Sequence, residues 1–362
     1  MPAAAVAADW PGGYWWHWLF YSVAIIGFLL TMVMGAIYLE RRGMGRMQSR
    51  LGPNRTGPFG LLQPVADAVK VLLKENIVPT AADKIVHFVA PIVAFAPVLM
   101  ILAVLPIMNG AVLADLNIGI LYIVAVSSIG TVGVFMAGWG SGNKYSLLGA
   151  MRNVAAVVSY EIPMVLAIVG VVLFAGSLTI SDIIAKQDIP FILMQPLGFL
   201  LFFAAACAEI NRSPFDLFEA DQELVAGYMT EYSGMKFAMF YLVEYAEAIA
   251  MSAVITTIFL SGWRGPWLPP WLWFILKTFA VFFLMIWTRT TLPRVRIDQL
   301  MAFAWKFLFP LAIINLFVTA IQVLAWPDAL PWFLIFINFA VMGVLVLIWS
   351  KFFRLGWGRV QV

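Results

Sequence analysis

An all-α, polytopic membrane fold with about nine spanning helices is what this sequence predicts, and three observations carry the prediction. Hydrophobic residues make up 63% of the 362 and charged residues only 11%, far below the roughly 25% charged of a soluble domain. Apolar runs of about 20 residues, the length that crosses the hydrocarbon of a bilayer, recur along the whole chain. The basic residues fall in alternate gaps between those runs, as the excess of positive charge on cytoplasmic loops requires.

Taken in order, the amino-terminal residues contain Trp10, Tyr14, Trp15, Trp16 and Trp18 but no Lys or Arg. They read as an aromatic belt at the membrane interface and lack the basic start of a secretory leader. The apolar runs follow at about 16–39, 85–108, 118–139, 150–176, 191–210, 237–261, 268–291, 305–325 and 332–353. The first gap alone holds eight basic residues: Arg41, Arg42, Arg46, Arg50, Arg55, Lys70, Lys74 and Lys84. Lys144 and Arg152, Arg212 and Lys236, the group from Arg289 to Lys306, and the carboxyl-terminal Lys351, Arg354 and Arg359 fall on the same side. Only Lys186 and Arg264 fall on the other, and Lys277 stays inside a run. This alternation puts the amino terminus outside and the carboxyl terminus in the cytoplasm. An even number of spans would break it.

Residues 1–362 read as one integral membrane domain with two notable cytoplasmic segments. The first, 41–84, is broken into turns by the Gly and Pro of GPNRTGP. After Pro64, Val65, Val69, Leu72 and Leu73 recur at helical spacing among charges, predicting an amphipathic helix too short and too charged to span. Such a helix either lies on the bilayer or closes a pocket beneath the spans.

The second segment, 209–236, holds six of the chain's 19 acidic residues: Glu209, Asp216, Glu219, Asp221, Glu223 and Glu231. Crowded carboxylates raise one another's pKa, so this segment is a chemical site or a proton store. Asp216, Glu219 and Glu223 share one face if the segment is a helix opened by Pro214 and capped by Ser213. Within the apolar runs, Glu161 stands beside Pro163, expected to interrupt its helix and free carbonyls for polar partners. Glu244 and Glu247, three apart, share one helical face and are expected to couple. Intramembrane acids cost several kcal/mol unless neutralised, paired or hydrated. They suit a path of carboxylates leading from the cytoplasmic surface into the bilayer, or partners for interior arginines.

Composition also excludes classes. The single Cys207 rules out an internal disulfide and any cysteine-built iron–sulfur or zinc site in this chain, so no metal site is expected. The formal charge of +3 comes from topology markers, not from a nucleic-acid patch. His17 and His87 stand alone and read as packing. No repeat at fixed spacing supports a transporter built from inverted halves.

The stretches ERRGMGRMQSRLGPNRTGPFGLLQPVADAVKVLLKE, SYEIP, EINRSPFDLFEADQELVAGYMTEYSGMKFAMFYLVEYAE and LPRVRIDQLMAFAWKFLFPLAIIN resemble the quinone-site membrane subunits of respiratory complex I. The resemblance runs from Glu40 to about Asn315. It implies a non-redox subunit of NADH:quinone oxidoreductase, seated where the peripheral arm docks. Quinone would be its substrate, nothing would be covalently bound, and iron–sulfur clusters, FMN and NADH would sit in partner subunits. By position, it marks Arg41, Arg50, Asp67, Arg212, Asp216, Glu219, Asp221, Glu223 and Arg294 as quinone-chamber residues. It marks Glu161, Glu209, Glu231, Glu244 and Glu247 as the entrance of a proton path toward neighbouring membrane subunits. The residues alone leave two other classes open: the equivalent subunit of a related membrane-bound hydrogenase or quinone-linked dehydrogenase, and a free-standing proton or cation transporter.

Overall fold

A computed structural model describes residues 15–110, 112–216, 225–326 and 332–352. All regular structure among them is helical: α1 (Trp15–Met47), α2 (Gln63–Leu72), α3 (Lys84–Val104), α4 (Gly119–Gly140), α5 (Lys144–Ala175), α6 (Ile180–Lys186), α7 (Phe191–Met194), α8 (Pro196–Glu209), α9 (Gly234–Phe259), α10 (Pro270–Thr291), α11 (Ile297–Ala325) and α12 (Leu334–Phe352). Within α11 one turn, Ala304–Leu308, is wound as a π-helix.

Seven of these helices, α3, α4, α5, α9, α10, α11 and α12, are long and apolar enough to cross a membrane. The expected count of nine therefore does not emerge as such. The first expected run lies on the 33-residue α1. The fifth, 191–210, is broken: Gln195 takes φ −131° and ψ 63°, leaving the 14-residue α8, which is about 21 Å long and shorter than the hydrocarbon. Pro196 is the cause, since a residue preceding proline is pushed out of the helical region.

Two further expectations are corrected. Pro163 does not interrupt its helix, because α5 runs unbroken from Asn143, whose side chain caps it by accepting from the Tyr145 amide, to Gly176. The Ser159 carbonyl, four residues before the proline, loses its helical donor. Nor does a helix open at Pro214: residues 213–215 form a turn and bend, and Pro214 O accepts instead from the Val295 amide at 3.2 Å. The expected helix in the first loop does form, as α2.

The centre of the bundle is α9. In its most apolar window 83% of residues are buried, against 11% in α12, so the helix carrying Glu244 and Glu247 is surrounded by protein while α12 faces outward. Small residues bring the neighbouring helices together. A Cβ on Gly133 of α4 would stand 2.6 Å from the Ala94 amide of α3, and one on Gly138 would stand 2.3 Å from Ala150 of α5.

The polar loops sort to two ends. At one, Ile77 donates its amide to Ser233 Oγ, Asp83 donates its amide to Gly140 O, and Asn143 donates to Glu231. At the other, Ser181 meets Asp115, Gln187 bonds the carbonyls of Thr257 and Ile258, and Arg264 faces Asp188. Lys277, a charge inside an apolar run, reaches this second end and donates to the carbonyls of Leu260, Gly262 and Arg264 at 2.7, 3.1 and 2.6 Å.

Candidate functional site

Where α8 ends and the acidic segment begins, four charges from four parts of the chain meet, two of them buried and two half-buried. Arg212 Nη1 donates to both oxygens of Glu40, on α1, at 2.7 and 2.8 Å. Arg289 of α10 donates to the same Glu40 carboxylate. Arg212 Nε stands 3.2 Å from Glu244 Oε1 of α9, an ion-pair separation outside hydrogen-bond alignment. The guanidinium also lies over the Tyr245 ring, 4.3 Å from its centroid. Glu40 is fully buried and Arg212 only 3% exposed. Two cations and two anions balance, which is the condition under which charges survive burial. Burial works against the charge on Arg212, but Glu244 and Glu40 outweigh it and hold its pKa above the ordinary value.

Beside this ladder lies a cavity of about 60 Å³, walled by α3, α4, α5 and α9 and by the chain leaving α8. Glu209, Glu244 and Glu247 all line it, with Asn153, Asn211 and Ser127. Gly130 makes room for one of them: a Cβ there would stand 3.4 Å from Glu247 Oε1. Glu209 and Glu247 form no ion pair among the described residues. Glu209 Oε2, Asn211 Oδ1 and both amide atoms of Asn153 are buried without a hydrogen-bond partner there. Buried polar atoms require partners, and by the measure of about 10–15 Å³ per water the space accommodates about four to six molecules. The chemistry this permits is proton storage and proton exchange along carboxylates, amides and water. It does not hold a quinone ring, since small-molecule pockets run to about 300 Å³ or more.

A family of sequences described as NADH dehydrogenase matches residues 20–320. The chain belongs to that family. Among its relatives, the H subunit of NADH-quinone oxidoreductase from Dehalococcoides mccartyi strain 195 is 58% identical over 349 residues, 96% of this chain and 99% of that protein. The proteins of the same name from Geobacillus kaustophilus and Bacillus mycoides are 52% and 51% identical, over 83% and 84% of this chain and 92% and 93% of theirs.

Of the residues that the family resemblance marks as a path, Glu209, Glu244 and Glu247 share the cavity. Glu161 accepts from Ser128 of α4, the neighbour of the cavity-lining Ser127. Glu231 lies apart, accepting from Asn143 Nδ2 at 2.6 Å. Beside it Tyr232 stacks on His87 with centroids 4.0 Å apart and donates to His87 O, and burial raises its phenol above the ordinary value. Glu244 and Glu247 line the same cavity, and among the described residues Arg212 pairs with Glu244 and not with Glu247.

Among the residues marked for the chamber, Arg41 pairs with Asp67 of α2, which also accepts from Gln63 at 3.0 Å. Arg294 faces Asp216 at 3.6 Å. Arg50 is exposed and donates to Gln48. Arg212 belongs to the buried ladder. Glu219, Asp221 and Glu223 lie outside the described residues. Sequence reasoning missed Glu40, Arg289, Asn153 and Asn211 as site residues. The one available signal was Arg289, which sits in the apolar run of α10 where a topology marker has no need to be.

Proposed function

We propose that this chain serves as the quinone-site membrane subunit of a bacterial NADH:quinone oxidoreductase, without redox centres of its own. Its end carrying the first loop, the acidic segment and Arg294 forms the membrane wall of the quinone chamber. Glu209, Glu244, Glu247 and Glu161 form the start of the proton path. The observation that carries this reading is the one cavity shared by three carboxylates beside the arginine ladder, at the end where those loops gather. Quinone is the substrate, taken from the lipid. Iron–sulfur clusters, FMN and NADH belong to partner subunits, which dock on the loop-rich cytoplasmic face of the inner membrane with the amino terminus of this chain outside. The whole chain acts as one membrane domain.

Quinone reduction places negative charge in a low-dielectric space before protons arrive. Carboxylates nearby respond by taking up protons, because the Coulomb energy of two charges grows as the dielectric falls. Glu209 and Glu247, which line the cavity and form no ion pair among the described residues, are the groups free to do so. Glu244 is paired with Arg212 and fixes the geometry.

The test is purification of the complex through this chain in mild detergent. Iron–sulfur subunits and inhibitor-sensitive NADH:quinone reductase activity are expected to accompany it, and Arg294→Glu is expected to raise the half-inhibitory concentration of a quinone-site inhibitor about tenfold, equivalent to ~1.4 kcal/mol. Proton or cation transport by the chain alone, with no electron-carrying partner, would overturn the assignment. An unaltered inhibition curve removes Arg294 from the chamber.

A further inference from the structure

A second polar interior lies at the opposite end of α8. Gln195, at the break between α7 and α8, is 3% exposed. Its Nε2 donates to Gly170 O of α5 and to Thr319 Oγ1 of α11, both at 3.0 Å. Its Oε1 has no partner among the described residues, and neither has Nδ2 of Asn315, on α11 and 7% exposed. One atom is an acceptor and the other a donor.

Two glycines open the space that these atoms face. A Cβ on Gly198 of α8 would stand 3.2 Å from Gln195 Oε1 and 3.3 Å from Asn315 Nδ2, and a Cβ on Gly170 would stand 3.3 and 3.6 Å from the same two atoms. The cavity that Gln195 and Asn315 both line measures about 10 Å³, the room of about one water. Its lining, which includes Gln195, Asn315, Thr319, Gln322 and Asn338, contains no ionisable side chain. An ion would lack a counter-charge, and an apolar guest would leave both amides unsatisfied.

We propose that Gln195 Oε1 and Asn315 Nδ2 bind one fixed water molecule, which completes an uncharged polar seam across the membrane interior. The water donates to Gln195 and accepts from Asn315. The seam continues through Thr319, which donates to Asn315 O at 2.7 Å. Further along, Gln322 Nε2 donates to Asn338 Oδ1 on α12 at 2.5 Å, and Asn338 Nδ2 donates to Met194 O at 2.5 Å. It thereby ties the broken helix to both carboxyl-terminal helices. Irregular backbone at membrane depth persists only when its surroundings satisfy it, and this seam supplies that surrounding. It stands a full helix, about 21 Å, from the cavity of Glu209 and does not depend on the function of that cavity.

The test uses the assembled complex purified in mild detergent. A structure at water-resolving resolution is expected to show one water within hydrogen-bond distance of Gln195 and Asn315. A dry site, or the two amides bonded directly to each other, would overturn the proposal. Gly198→Ala sets a methyl 3.2 Å from Gln195 Oε1 and 3.3 Å from Asn315 Nδ2, crowding a water held between them, so it is expected to lower the midpoint of thermal inactivation. In an Asn315→Leu background the same alanine is expected to cost less than half as much. Equal costs in both backgrounds would show that no water couples the two positions. Should either variant fail to assemble, the structure of the unmodified complex decides alone.

Discussion

Glu244 and Glu247 stand one turn apart on the most buried of the spanning helices and line the same cavity, yet among the described residues only the first faces an arginine. Glu244 meets Arg212, which is locked to Glu40 and through it to Arg289. Glu247 opens onto a polar cavity next to a glycine. The ladder is a charge-balanced fixture, since each of its charges sits against an opposite one. The cavity is the reverse, since Glu209 and Glu247 line it without an ion pair among the described residues. The pairing suggests a division of labour in which one region fixes the geometry and the other exchanges protons.

That division predicts a graded series. The largest effect is expected from Glu40→Gln, which strips two arginines of their common partner. Breaking a buried pair leaves an uncompensated charge and costs about 3–5 kcal/mol, so native gels are expected to show little assembled complex. If Glu40→Gln assembles normally, the ladder is not the fixture described. Glu247→Gln comes next: assembly is expected to survive, while proton transfer per NADH oxidised in membrane vesicles falls about tenfold, or ~1.4 kcal/mol of barrier. A fall in assembly instead would class Glu247 with the ladder. The smallest effect is expected from Gly130→Ala, whose methyl would touch Glu247 Oε1 in ordinary contact. Coupled proton transfer is expected to drop roughly twofold with stability unchanged, as for a substitution worth about 0.5 kcal/mol. No change at all would mean that the carboxylate does not use the space beside Gly130.

The contrast also explains what could be read in advance. Helices α3, α4, α5, α9, α10, α11 and α12 were legible because an apolar run of spanning length has few alternatives in lipid. The break at Gln195 was legible only in principle, through Pro196, since the surrounding run is apolar enough to conceal it. Glu209, Glu244 and Glu247 stood out as acids at the end of or within apolar runs, and three of the path residues do converge. Glu40 did not stand out, because in ERR it looks like the acidic edge of a basic loop. Its partners lie 172 and 249 residues away in sequence, and no local pattern encodes such contacts. Asn153 and Asn211 carry no signal of their own, and their significance comes entirely from the cavity they face.

The three carbonyls around Lys277 bear on how the protein enters its membrane. The turn that supplies them, Leu260 to Arg264, exists only once α9 has ended and the chain has doubled back. A lone helix carrying that ammonium into hydrocarbon suffers a penalty of about 2.5–3.5 kcal/mol, while the folded hairpin arrives with the charge already solvated by peptide oxygens. Thermodynamically, α9 and α10 are better delivered to the lipid as a pair than one after the other.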